Sequence, residues 1–331
     1  MSGRFTVASE GSEAVRRPPP VEAFHGLLGV DKPTGMTSHD VVVRVRRRLE
    51  SPGAGHLGTL DPAASGLLLV AMGAATRAIP VWQGGEKTYE ASLVLGVITR
   101  SQDLTGEVIE RRPVEVDETR LRESARGLTG DILQVPPMVS ALKVGGERLH
   151  ALARRGIEVT RAPRRVRVAV WEWLDVSLPE ARFRVRCSPG TYVRTLVHDL
   201  GLTLGCGAAL ASLRRLRSEP FGLERAVTLR ELDERAREDV LRDAGTPLDE
   251  ALAHLPSVTL DAAGAASVGA GGRPPVEPGG APIASGPRSL VLREAGGRAL
   301  ALGELRPDPD RPGQVLACPQ VVFPWAVRPG R

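Results

Sequence analysis

Apolar and polar residues alternate, cluster and break in a mixed order along the chain. Gly26-Leu-Leu-Gly-Val-Asp31 is a short apolar run and predicts a strand, followed by a turn at Lys32-Pro33-Thr34-Gly35. Val41, Val42, Val45 and Leu49 then recur at helical spacing, while Arg44, Arg47 and Arg48 fall largely on other faces. This predicts a helix capped by Ser38 and running to about Glu50. A glycine-rich loop is expected over 51–66, and the continuous apolar run Gly66 to Met72 predicts a buried strand. Further strands are expected over Lys87 to Leu95, Arg164 to Val176 and Arg182 to Cys187, and helices over Thr191 to Leu204 and Ala208 to Leu216. Thr228-Leu-Arg-Glu231 is a capping-box pattern opening a charged helix. Helices and strands mix without a βαβ rhythm, so the fold class is α+β with a mixed or antiparallel sheet.

Composition changes the picture near the ends. The first twenty-odd residues end in Arg-Arg-Pro-Pro-Pro and read as a disordered tail, 1–24. A main domain follows over 25–255. From about Ser257 the chain turns Gly-, Ala- and Pro-rich, with short apolar runs such as Ser289-Leu-Val-Leu and Arg298-Ala-Leu-Ala-Leu. That predicts a small all-β module over 256–331. No stretch of signal-peptide or membrane-spanning length is apolar, so a cytoplasmic, membrane-free protein is expected. The three cysteines are odd in number, widely spaced and lack zinc-site spacing, which argues against a disulfide framework and a metal site. A net charge of +5 suits a polyanionic partner. Arg154-Arg155, Arg161 to Arg167, and Arg214, Arg215 and Arg217 are the runs that offer phosphate contacts, each of them also readable as solvated surface.

The chemistry concentrates in Gly55-His56-Leu57-Gly58-Thr59-Leu60-Asp61-Pro62-Ala63-Ala64-Ser65-Gly66, where three glycines allow close backbone approach beside one imidazole and one carboxylate. Taken alone, Asp61-Pro62 reads first as the opening of a helix, with Asp as N-cap and Pro in the first turn. No dinucleotide-binding or phosphate-loop glycine motif accompanies it.

This loop resembles the signature of the bacterial tRNA pseudouridine-55 synthases, the TruB family. The resemblance extends from Leu27 to Leu223 in six ordered motifs. They are Asp31-Lys-Pro-Thr-Gly-Met-Thr-Ser-His-Asp40; the loop itself; Lys87-Thr-Tyr89; Val135-Pro-Pro-Met-Val-Ser-Ala-Leu-Lys143 with Gly156-Ile-Glu-Val159; Gly190-Thr-Tyr192-Val-Arg194-Thr195 with Asp199-Leu-Gly201; and Leu213-Arg-Arg-Leu-Arg-Ser218. Departures from the family pattern fall at Leu57, Ala63, Val139, His150, Leu216 and Glu219.

The resemblance implies a pseudouridine synthase fold with a small C-terminal β-barrel, PUA-like domain. It implies isomerisation of the T-loop uridine of tRNA conventionally numbered 55, by base flipping, with neither cofactor nor metal. Asp61 becomes the nucleophilic carboxylate, Arg194 the cation that keeps it ionised, and Tyr89 the ring that stacks on the extruded uracil and assists removal of the C5 proton. Tyr192 completes the pocket wall, His56 contacts RNA or helps flipping, and Lys32, Gly58, Thr59 and Lys87 are expected to bind substrate. Attack at C6, attack at C1′ and a glycal route all remain open for Asp61. A monomer is expected, since no exposed heptad or interface stripe stands out.

Two other readings fit the same residues. One is an RNA-binding tRNA folding factor in which catalysis is secondary. The other is a glycosidase of small nucleosides, which needs a second carboxylate; Asp31, Asp40 and Asp103 are the candidates to approach Asp61.

Overall fold

A computed structural model of the chain describes residues 23–140, 142–277 and 290–327. The expected tail lies outside them except for its last two residues, of which Phe24 packs against the core. The main body is built from β1 (Gly26–Lys32), α1 (Ser38–Arg48), β2 (Ala54–Leu57), β3 (Ser65–Met72), α2 (Ile79–Gln83) and β4 (Lys87–Leu95). It continues through α3 (Glu118–Arg126), β5 (Gly130–Gln134), β6 (Arg164–Ser177), β7 (Glu180–Cys187), α4 (Val193–Leu204) and β8 (Ala208–Ser218). The strands form one large sheet whose order is Val227–Thr228, β1, β3, β8, β4, β7, β6, β5. The pairings of β1 with Val227–Thr228 and of β3 with β8 are parallel, and the rest of this path is antiparallel. The sheet is therefore mixed and largely antiparallel, as the sequence led us to expect.

The helix expected over Ala208 to Leu216 is instead β8, which lies in the middle of the sheet between β3 and β4. Ala, Leu and Arg are strong helix formers, so local propensity favours the wrong state. Two register shifts, between Leu210 and Ser212 and between Arg215 and Arg217, break the period-2 alternation that would have marked a strand. Pairing on both edges overrides propensity.

Helix α1 is capped by Thr37 rather than Ser38. The Thr37 hydroxyl accepts from Asp40 N–H at 3.1 Å, and the Asp40 carboxylate accepts from Thr37 N–H at 3.0 Å. That leaves Ser38 free to turn inward. The loop expected over 51–66 contains β2, paired antiparallel with β3.

One side of the sheet is closed by α4, whose Leu196, Val197 and Leu200 pack with Leu93, Phe183 and Val185 of β4 and β7. A second cluster runs from Leu27, Leu67, Leu69 and Trp82 into Val291, Ala299, Leu302 and Phe323 of the C-terminal module. The module is a five-stranded sheet, Ser257–Leu260, Leu290–Glu294, Ala299–Pro307, Val315–Val322 and Pro275–Val276 in spatial order. It is not all-β, because helix Ala262–Gly269, N-capped by Asp261, packs on it. Asp249 of the main body accepts from Ala299 N–H at 2.7 Å, and the Trp325 ring lies 5.2 Å from that of His25. A shared apolar core and these polar ties join the module firmly to the sheet.

Candidate active site

The loop bearing Asp61 is fixed mainly through its backbone. Leu60 is bonded twice by Ser38: the hydroxyl donates to Leu60 C=O at 3.1 Å and accepts from Leu60 N–H at 2.9 Å. Gly35 N–H donates to Pro62 C=O at 2.8 Å. Lys32 is fully buried, and its ammonium donates to the carbonyls of Pro33, Met36 and Pro62 at 2.9, 2.7 and 3.4 Å. Arg215, 1% exposed, reaches from β8 to donate to Gly58 C=O at 3.1 Å and Leu67 C=O at 2.7 Å. Gly58 has φ +81°, and Gly66 has φ +97° with its α-carbon against the Arg215 main chain. Those two positions need glycine, one for its backbone conformation and the other also for the close approach. Asp61-Pro62 does not open a helix; a turn closes instead through Ala64 N–H to Asp61 C=O at 3.0 Å.

The Asp61 carboxylate is met by Arg194, which stands in the first turn of α4 and is 4% exposed. Arg194 Nη2 lies 3.3 Å from Asp61 and donates to Val139 C=O at 2.5 Å, while Nη1 lies 3.8 Å from Asp103. Asp103 is held in turn by the hydroxyls of Ser101 and Thr105 at 2.7 and 2.6 Å and by Thr105 N–H at 3.0 Å. Burial pushes the Asp61 carboxyl above the usual carboxylate range, Arg194 pulls it back, Asp103 raises it again and Lys32 lowers it. The side chain still faces open space with 43% of its surface exposed, so water screens these charges in part.

Tyr89 stands on β4 opposite Arg215 of β8 and Val185 of β7. Burial raises its phenol pKa, with Arg215 opposing, so the hydroxyl stays protonated at neutral pH. Lys87, two residues earlier on the same strand, donates to Gln83 C=O and Gly85 C=O at 2.7 and 2.5 Å. Burial, helped by Arg215, lowers its ammonium to about 8. Cys187 opposite it is pushed up to about 12 by burial and is an inert thiol at neutral pH.

These groups surround a cavity of about 360 Å³. Asp61, Lys87, Tyr89, Tyr192 and Arg194 line it, with Gly58 and Thr59 at the loop side and Leu213 from β8. A larger cavity of about 800 Å³ adjoins it, sharing Thr59, Leu60, Asp61 and Ser140. His56 lines this second space together with His39, His198, Arg161, Ile109 and Ile157. Burial and then the positive charge of Arg215 lower the His56 pKa, so its imidazole is neutral at neutral pH. Among the described residues no group of three His, Cys, Asp or Glu side chains is placed to hold a metal ion. No described helix is long and apolar enough to cross a membrane.

Eight of the nine residues expected from the sequence thus border the two adjoining cavities. Lys32 does not: it braces the loop from beneath. The arginine run at 214–217 offers no free phosphate contacts. Arg214 forms a two-pronged pair with Asp31 at 2.7 and 3.1 Å, Arg215 is buried, and Arg217 meets Glu219 at 2.9 Å and Glu224 at 3.5 Å. Arg155 pairs with Glu147, whereas Arg161 lines the larger cavity with no ion pair among the described residues. Three contributors escaped the sequence reading. Arg215 and Leu213 point inward from β8, and a strand assignment would have placed them beside Tyr89. Asp103 was weighed only as a second acid, and its place on Arg194 has no local signal.

The structure thus brings the Asp61 carboxylate, the buried Arg194 and both tyrosines to one cavity on a mixed sheet, and known proteins of the same sheet architecture show the family. Solved structures of this fold include a Cbf5–Nop10–Gar1 complex, 28% identical with a TM-score of 0.70 over 92% of this chain and 87% of that one. Another is an H/ACA RNP bound to a substrate RNA containing 2′-deoxyuridine, 26% identical with a TM-score of 0.67 over 90% and 85%. The TruB family pseudouridylate synthase N-terminal domain matches residues 46–193, and the tRNA pseudouridylate synthase B C-terminal domain matches 194–253. A tRNA pseudouridine synthase B of Geobacter sulfurreducens is 46% identical over 275 residues, 81% of this chain and 90% of that protein. The chain belongs to the TruB family of tRNA pseudouridine synthases. It is therefore an isomerase of α+β pseudouridine synthase fold.

Proposed function

We propose that this enzyme converts uridine 55 in the T-loop of tRNA to pseudouridine, acting as a cytoplasmic monomer without a cofactor. The observation that carries the reading is the Asp61 carboxylate, 3.3 Å from a buried arginine, in a cavity walled by both tyrosines of the chain. The larger cavity takes the T-loop backbone, with Arg161 as a phosphate contact and His56 beside the vacated stack. The flipped uracil enters the smaller cavity and stacks on Tyr89, with Tyr192 as the opposite boundary.

The reaction breaks the bond from N1 to C1′ and makes one from C5 to C1′. The C5 proton leaves, N1 gains a proton, and no electrons are exchanged with another molecule. Attack of Asp61 on C6, attack on C1′, and proton abstraction toward a glycal all use the ionised carboxylate. Arg194 supplies the charge that holds it so. Lys87 and Thr59 line the same cavity and are our candidates to meet the uracil carbonyls. The glycosidase reading loses support because Asp103 lines neither cavity and spends its oxygens on Arg194, Ser101 and Thr105. The folding-factor reading keeps one supporting feature, the large cavity able to grip RNA without chemistry.

The test is conversion of an unmodified tRNA transcript by wild type and by Asp61→Asn, with chelator present. Conversion at uridine 55 by wild type and loss of more than about a thousandfold in the variant, with RNA affinity retained, is expected. No conversion by folded wild type would move the folding-factor reading to first place.

A further inference from the structure

The first turn of α4 carries both Tyr192 and Arg194, and two glutamines from distant segments grip it. Tyr192 is the N-cap of α4, yet its side chain makes no capping bond. Gln134, at the end of β5 and 2% exposed, grips the main chain of this N-cap residue from outside. Its Oε1 accepts from Tyr192 N–H at 2.8 Å, and its Nε2 donates to Tyr192 C=O at 3.1 Å. On the other side of Arg194, the buried Thr195 hydroxyl donates to Gln102 Oε1 at 2.7 Å. Gln102 has φ +68°, a left-handed conformation that a non-glycine residue holds only when its surroundings fix it. Its main chain is fixed: N–H donates to Thr99 C=O at 3.2 Å, and C=O accepts from Leu210 N–H of β8 at 3.1 Å.

Each glutamine also leads into a segment that ends on Arg194. Gln102 is followed directly by Asp103, which meets Arg194 Nη1. Gln134 opens the stretch to Val139, whose carbonyl accepts from Arg194 Nη2. The guanidinium thus stands in a frame whose two sides are each tied to its own helix by a glutamine. Arg194 Nε is buried with no hydrogen-bond partner among the described residues, so the guanidinium is held at its Nη1 and Nη2 ends, by the frame and by Asp61.

We propose that Gln102 and Gln134 are positioning residues that set where Arg194 stands relative to Asp61, acting through Thr195 and Tyr192. This rests on the reading of Asp61 and Arg194 given above. Gln134 and Thr195 line neither cavity, so substitution there changes the frame and leaves the RNA-facing surface alone.

The decisive variants are Thr195→Val, which removes only the hydroxyl donor, Thr195→Ser, which keeps it, and Gln134→Met, which keeps length without either bond. Single-turnover conversion of tRNA should fall about tenfold in Thr195→Val and Gln134→Met, because small misplacement of a catalytic group costs rate. The tRNA Kd should stay within about twofold of wild type, since binding contacts are untouched. The charged groups acting on Asp61 are Arg194, Asp103 and Lys32, so retreat of Arg194 should move the acid limb of the rate–pH profile to higher pH. Thr195→Ser should restore both rate and limb. In an Arg194→Lys background, Thr195→Val should cost less than twofold further, a sign that the two share one path. A full tenfold loss in that background, an unmoved acid limb, or a loss confined to Kd would each overturn the proposal. Absence of conversion by wild type would instead overturn the functional reading beneath it.

Discussion

Arg194→Gln tests how the carboxylate is kept ionised. Unit charges 3.3 Å apart interact by about 5 kcal/mol at an effective dielectric of about 20. Asp61 is 43% exposed, and solvent screening reduces this to about 1 kcal/mol. An interaction of that size is worth about a fivefold change in the ratio of ionised to protonated carboxyl, so its loss raises the Asp61 pKa. The sign is clear: burial and Asp103 already push this carboxyl up, and Arg194 is the largest influence opposing them. Activity that needs the ionised form is lost as pH falls through that pKa, so the acid limb of the variant should lie at higher pH than that of wild type. Tritium release from C5-labelled uridine in tRNA under single-turnover conditions, from mildly acidic to mildly alkaline pH, reads the limb directly. Arg194→Lys keeps the charge but loses the two-pronged reach to Asp61 and Asp103, and should fall between the two. Thermal melts and tRNA affinity should accompany the profile, because removing a buried arginine beside Asp103 also costs about 3 kcal/mol of stability. An acid limb that stays in place in a folded, RNA-binding Arg194→Gln protein would refute the electrostatic argument.

Four further outcomes follow from named contacts. Arg215→Met leaves the carbonyls of Gly58 and Leu67 without their donor, so chemical denaturation should show a loss of about 3 kcal/mol. The same variant should raise the His56 pKa measured by NMR, since the positive charge of Arg215 helps to lower it. Gly66→Ala places a methyl 2.2 Å from Arg215 C=O at a φ of +97°, and should cost more than about 2 kcal/mol in the same measurement. Lys32 has a folded-state pKa of about 8 against 10.5 for the free side chain. Its unfolded form binds more protons in that interval, so the stability of wild type relative to Lys32→Met should rise as pH increases from about 8 to 10.5 and be lost as pH falls back through 8. A flat difference would mean that the ammonium is not desolvated.

Legibility of the site varied with how local its cause was. Asp61, His56, Gly58 and Thr59 share one loop, and Lys87 with Tyr89 share one strand, so ordered motifs revealed them together. Lys32 was legible as important but not as a brace, because its partners at Met36 and Pro62 converge only when the loop closes on β1. Arg215 shows the opposite failure. In sequence it is one of several arginines in a basic run, while in space its neighbours Arg214 and Arg217 face acidic partners and it alone is buried. Val139 departs from the family pattern at no evident cost to the frame, since the contact to Arg194 uses its carbonyl.

The sequence by itself determined the elements whose signals are local: the apolar strands β1, β3 and β4, the strands β6 and β7, the capping box at Thr228, and the loop that presents Asp61. Hydrophobic period, turn residues and caps act within a few positions, so they can be read along a line. Only the tertiary structure decided that Ala208–Ser218 is a strand, that the C-terminal module shares a core with the sheet, and that Arg194 stands between Asp61 and Asp103. Each of these depends on groups dozens to hundreds of residues apart. Pairing on two edges, burial and desolvation come into being only on folding, when they outweigh the local preferences that a sequence displays.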